Sequence, residues 1–116
     1  TLLYRLVFNL VENAIRYSRP GSTVNVSICD NDSHVLLRVE DRGPGIPKQY
    51  RESIFQPFFR VDKSRSRAYG GAGLGLALVW EIATLHGGTV EVESSSENGT
   101  VMLVALPKRT TEQSDR

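Results

Sequence analysis

The chain has 116 residues, 40% hydrophobic and 23% charged, a length and balance that suit one globular domain and exclude disordered, collagen-like and disulfide-scaffold classes. With 14 Lys and Arg against 13 Asp and Glu the formal charge is +1, too small for a broad electrostatic footprint on nucleic acid or an anionic membrane. Cys29 is the only cysteine, so an internal disulfide and a thiolate metal site are ruled out, and no apolar run approaches the roughly 18 residues a bilayer span needs.

The first residues lack the layout of a signal peptide and run straight into a helical pattern, which leads us to expect a domain excised from a longer chain. Leu2, Leu3, Leu6, Val7, Leu10, Val11, Ala14 and Ile15 recur at three- and four-residue spacing, predicting a helix with one buried stripe that Ser18-Arg19-Pro20-Gly21-Ser22 stops. A strand over 23–29, with Val24, Val26 and Ile28 on one face, and a second over 35–39 form a predicted hairpin across Asp30-Asn31-Asp32-Ser33. Pro47 opens a short helix through Tyr50 and Ile54. Residues 56–72 carry Arg60, Lys63, Arg65 and Arg67 without periodicity and read as a mobile loop. A helix over 74–85 is apolar nearly all round, hence buried, and closes at Gly87-Gly88. Strands over 89–93 and 100–106 make a second hairpin across Glu97-Asn98-Gly99, and 108–116 is a polar tail. This order predicts an α+β two-layer sandwich, with helices on one face of a mixed or antiparallel sheet, in a single domain over 1–107.

Three segments bear chemistry. At about 100° per residue, Asn9, Asn13, Arg16 and Tyr17 lie at roughly 0°, 40°, −20° and 80° on the first helix, so two amides, a guanidinium and a phenol share one face. Amide oxygens are hard ligands suited to Mg²⁺ and a guanidinium suits a phosphate; a merely solvated helix face is the alternative. Asp41-Arg42-Gly43-Pro44-Gly45-Ile46 follows a strand, where an ionised carboxylate accepts from an exocyclic amine such as that of adenine, or else decorates a tight turn. Gly70-Gly71-Ala72-Gly73-Leu74-Gly75-Leu76 feeds a helix N-terminus, which presents free N–H groups and the positive end of the helix dipole to an anion. A plain hinge is the other reading. No Gly-Lys-Ser/Thr follows and no strand immediately precedes, so it is neither a Walker loop nor a dinucleotide fingerprint.

In this order and spacing the segments resemble the catalytic and ATP-binding domain of bacterial sensor histidine kinases. Asn9 to Ser18 looks like the N box, Asp41 to Ile46 like the first glycine box, Phe55-Gln56-Pro57-Phe58-Phe59-Arg60 like the F box and Gly71 to Leu76 like the second glycine box; Leu85-His86-Gly87-Gly88 and Gly99-Thr100 also match. The resemblance covers about residues 2–107 and implies the Bergerat ATP-binding fold, with a flexible lid over ATP and Mg²⁺ as cofactors. It further implies that Asn13 ligates Mg²⁺ with Asn9 in support, that Arg16 contacts phosphate and that Tyr17 borders the pocket. Asp41 would receive the adenine amine, Gly43 and Gly45 giving the base room, and Ile46 and Thr100 would line the same site. Phe55 and Phe58 would anchor the lid, Arg60 would reach the γ-phosphate, and Gly71, Gly73, Leu74 and Gly75 would wrap the phosphates. Asn9, Asn13 and Arg60 are thus the expected catalytic set.

Position 9 discriminates within the fold. Gyrase, MutL and heat-shock chaperone ATPases carry a glutamate there that activates water, and an amide cannot serve as that base. Glu12, three residues on, points off that direction. The only histidines, His34 and His86, lack the His-Glu-x-x-x-Pro context of a phosphoacceptor and read as structural or surface residues. The implied partner is therefore the dimerisation and phosphoacceptor domain of the same parent protein, with a response regulator downstream, no nucleic acid and no membrane insertion by this segment. The resemblance implies a cytoplasmic domain of a membrane-anchored sensor, and leaves a regulatory module without transfer activity as an alternative. The family's strand before the N box is missing from the sequence, which would leave a sheet edge unpaired. Cys29 is read as a packing residue, Trp80 as a core or interface residue rather than a base-stacking one, and the basic loop as phosphate-facing rather than nucleic-acid-binding.

Overall fold

A computed structural model describes residues 2–57, 59 and 75–108. The elements are α1 (Leu2–Tyr17), β1 (Asn25–Asp30), β2 (His34–Asp41), 3₁₀ turns at Lys48–Tyr50 and Ser53–Phe55, α2 (Gly75–Leu85), β3 (Thr89–Ser96) and β4 (Gly99–Pro107). The expected mobile loop and polar tail fall almost wholly outside the described residues.

The four strands lie in the order β1-β2-β4-β3, and every neighbouring pair is antiparallel. Of the two sheet types predicted, the antiparallel one is found. Asn31 builds the first hairpin turn, its side-chain oxygen accepting the N–H groups of Ser33 (2.9 Å) and His34 (2.8 Å). Leu6, Leu10 and Ala14 of α1 pack with Val79, Ile82 and Ala83 of α2 over Leu37, Val39, Val90, Met102 and Val104 of the sheet, forming one continuous core. Helix α2 ends as a Schellman motif: Gly88 N–H reaches the Ala83 carbonyl (2.8 Å), Gly87 N–H reaches that of Thr84 (2.9 Å), and Gly87 takes the positive φ of 75° this closure demands.

Two expectations about helices are corrected. The single short helix after Pro47 is two 3₁₀ turns, because Gln56 is held extended before Pro57 (φ −83°, ψ 143°) and no α-helix can run through it. Helix α2 is buried on one face only: Trp80 is half exposed and meets buried Phe55 in a tilted ring contact at 5.5 Å, while Leu85 is exposed. Val26 and Ile28 pair with Val39 and Leu37, which puts them on the helix-facing side, yet both are exposed because β1 is the edge strand and α1 lies over β2.

Cys29 is also exposed rather than packed. It sits on the open face of the sheet at 3.6 Å from Arg38 Nη1. Arg38 in turn grips Glu93 with two bonds, Nε to Oε1 at 2.7 Å and Nη2 to Oε2 at 2.9 Å. These bonds hold the Glu93 carboxyl below its ordinary range, as the Lys108 ammonium does for Asp30 at 2.6 Å. A depressed carboxyl pKa in the folded state stabilises the fold above the unfolded value and ceases to do so as pH falls through the folded value. The melting temperature should therefore begin to drop below about pH 4.5, the ordinary value for the Glu93 carboxyl. In the Glu93→Gln variant that acid slope should be shallower; superimposable slopes would remove the pair from the account.

Candidate functional site

The end of β2 delivers Asp41 into the fold, where it is buried at 7% exposure. Its Oδ1 accepts two backbone N–H groups, from Gly43 at 2.9 Å and from Thr100 at 3.2 Å. Oδ2 makes no hydrogen bond to any described residue, so the carboxylate is oriented by one oxygen and offers the other. Such a group is a fixed acceptor for an N–H₂ donor.

Around it the turn Arg42–Ile46 is tied down from three sides. The Ser18 hydroxyl accepts the Arg42 N–H (3.0 Å), and the Arg19 guanidinium reaches the carbonyls of Arg42 (3.3 Å) and Glu97 (2.7 Å), joining the exit of α1 to the turn and to the β3–β4 hairpin. Ser95 Oγ accepts the Ile46 N–H at 2.8 Å and lies 2.7 Å from Thr100 Oγ1. Arg51 donates to the carbonyls of Ile46 (3.3 Å) and Ser95 (3.2 Å). A Cβ at Gly43 would overlap the Tyr17 carbonyl, and one at Gly45, where φ is +86°, would overlap that of Ser96. Close backbone packing thus requires both glycines.

On α1 the Asn9 amide donates from Nδ2 to the Arg5 carbonyl one turn back (2.7 Å), which turns Oδ1 outward. That Oδ1 stands 3.4 Å from where a Cβ of Gly75 would be, so the amide borders the first residue of α2. Asn13 is half-buried and its side chain has no hydrogen-bond partner among the described residues. Arg16 forms an exposed i,i+4 ion pair with Glu12 at 3.8 Å. Free amide oxygens on one helix face suit Mg²⁺ bound mainly through phosphate and water oxygens, the usual coordination for that ion.

Residues 1–110 match the family described as "Histidine kinase-, DNA gyrase B-, and HSP90-like ATPase". The chain belongs to this ATPase family. Sensor-like histidine kinase SenX3 of Mycobacterium tuberculosis is 47% identical over 107 residues, 92% of this chain and 26% of that protein. Sensor protein SrrB of Staphylococcus aureus is 36% identical over 104 residues, 90% of this chain and 18% of that protein. Among solved structures, the mycobacterial sensor histidine kinase MprB superposes with a TM-score of 0.80 at 36% identity, covering 95% of this chain and 72% of that one. Full-length ShkA in complex with AMPPNP also gives 0.80, at 30% identity over 95% of this chain and 22% of that one. The ATPase-family domain is thus of the histidine-kinase type, and it spans about a quarter or less of the curated relatives' length.

Of the residues that the resemblance singles out, the ATPase-family fold brings Asn9 of α1 beside Gly75 at the start of α2, and Asp41, Gly43, Gly45, Ile46 and Thr100 together around the end of β2. Tyr17 joins the second group through its carbonyl, against Gly43. Phe58, Arg60, Gly71, Gly73 and Leu74 lie outside the described residues. Neither histidine faces this site: His34 Nδ1 is 2.7 Å from the Ser33 hydroxyl, and His86 Nδ1 donates to the Ile82 carbonyl at 2.8 Å. Sequence reasoning missed Ser95, Arg51 and Arg19. Strand alternation through Val90 and Val92 would single out Ser94, and it misses Ser95 because β3 carries an irregularity between Val92 and Ser94.

Proposed function

We propose that this domain binds Mg²⁺-ATP and donates the γ-phosphoryl group to a histidine on a separate helical domain of its parent protein, in the cytoplasm, within a two-component signalling pathway. The observation that carries this reading is the Asn9 amide of α1, whose oxygen borders the first residue of α2. By the resemblance, hydrolytic relatives carry a glutamate general base at this position, and an amide cannot take a proton from water.

In the reaction a nitrogen of the acceptor imidazole attacks the γ-phosphorus as the bond to the β-bridging oxygen breaks, and ADP leaves with that electron pair. Little covalent help is asked of the protein, so its work is positioning and charge stabilisation. The Asp41 carboxylate receives the adenine amine through its free oxygen. Asn13 and Asn9 present amide oxygens to Mg²⁺, which neutralises phosphate charge when bound. The N-terminus of α2 adds a favourable dipole for the same anion. Arg60 neutralises the γ-phosphate as it transfers.

Reconstitution in trans tests this. The isolated chain should bind ATP yet incorporate no acid-labile phosphate. Adding the separately made helical hairpin of its parent should restore labelling on the hairpin, slowly, because tethering supplies an effective concentration on the order of millimolar that mixing lacks. Arg60→Ala should then lower transfer more than binding. Steady phosphate release by the isolated chain, or a folded hairpin left unlabelled at high concentration, would overturn the proposal.

A further inference from the structure

Ser95 and Arg51 belong to none of the sequence boxes, yet they make the contacts that lock the Asp41–Ile46 turn to the second hairpin. We propose that Ser95 and Arg51 are positioning residues for base recognition, holding the turn so that Asp41 presents its free oxygen in one fixed place. This deepens the proposed function and rests on the reading of Asp41 as the adenine-amine acceptor.

The argument starts from register. Val39 and Val92 flank Met102 in the sheet, and the next inward row is Asp41 beside Thr100. With regular alternation Ser94 would complete that row; instead the irregularity between Val92 and Ser94 sets Ser94 against Val101 and brings Ser95 opposite Thr100. One extra residue has re-aimed a hydroxyl into the site, which is what bulges beside functional sites do.

Once there, the hydroxyl closes a ring of contacts. Ile46 N–H donates to Ser95 Oγ, Ser95 and Thr100 share a hydroxyl–hydroxyl bond, and Thr100 N–H donates to the same Asp41 Oδ1 that Gly43 N–H holds. Both ends of the turn are therefore referred to one residue pair on the hairpin. Arg51 adds the carbonyl side: its fork spans the Ile46 and Ser95 oxygens, so Ile46 is gripped at its N–H and its C=O. A planar guanidinium can bridge two acceptors that a lysine ammonium cannot bridge in the same way. None of the residues joined by these bonds is a member of the apolar core of α1, α2 and the sheet, although Ile46 packs against it and Asp41 and Thr100 are buried beside it. Their loss should loosen the turn without unfolding the domain.

The test titrates the full 116-residue chain with ADP, with GDP and with inorganic tripolyphosphate, a ligand that has no base. Ser95→Ala should weaken ADP by about two- to tenfold, the range for one net hydrogen bond, with tripolyphosphate unchanged, so that the preference for ADP over GDP falls. Ser95→Thr, which keeps the hydroxyl, should restore the preference. Arg51→Lys should also lower it although the charge is kept. In Ser95→Ala the Ile46 amide should exchange faster with solvent. Equal losses for ADP and tripolyphosphate would mean a structural defect and overturn the proposal, as would full base preference in both Ser95→Ala and Arg51→Lys. Wild-type chain that binds ADP and GDP equally would overturn the Asp41 reading itself, which separates the two failures.

Discussion

Asp41→Asn should reduce ADP affinity by roughly tenfold to 150-fold, corresponding to the loss of a charged hydrogen bond worth about 1.5–3 kcal/mol. The substitution is isosteric, so the effect comes from donor and acceptor placement. Oδ1 is already fixed by the N–H groups of Gly43 and Thr100, and an asparagine keeps its amide oxygen at that position because both neighbours are donors. Its NH₂ is then forced to the position of Oδ2 and meets the adenine amine donor to donor. Calorimetric titration of the variant measures the loss, and circular dichroism confirms an intact sheet. Undiminished ADP affinity in the folded variant would remove Asp41 from base recognition.

The contacts that orient Asp41 were only partly legible in the sequence, and the division follows the range of the interaction. The stripe Leu6, Leu10, Ala14, the Asn31 turn and the Gly87-Gly88 helix stop are local patterns that survive translation into structure. The boxes around Asn9, Asp41 and Gly75 were also readable, because each concentrates unusual residue types within a few positions. Ser95 was not, because its inward aim depends on a register shift against β4 that no feature of the Ser94-Ser95-Ser96 run encodes. Gly43 and Gly45 looked like room for a base. Their neighbours across space, the Tyr17 and Ser96 carbonyls, give a second reason for glycine that only the packing reveals. The exposure of Val26 and Ile28 is of the same kind: alternation identified the face, while their position at the sheet edge decided that no described element covers it.

Asn13→Ala should weaken ATP binding in Mg²⁺ by about 10- to 100-fold, the scale on which even residues behind a metal ligand act, and leave binding in EDTA nearly unchanged. The asymmetry follows from where the amide sits. Asn13 shares a helix face with Asn9, is half-buried, and has no side-chain hydrogen bond to a described residue. Replacing it breaks no bond to a described residue, and alanine is the better helix former, so the fold should hold or gain slightly in melting temperature. The proposed contact of Asp41 with the base is untouched by the change and should support the metal-free binding that is left. Coupling between two ligands is reciprocal, so Mg²⁺ affinity measured at saturating nucleotide should fall by the same factor as nucleotide affinity measured at saturating Mg²⁺. Paired titrations of wild type and variant read both quantities. An equal loss with and without Mg²⁺ would reduce Asn13 to a surface amide and shift the search for the metal ligand to Asn9.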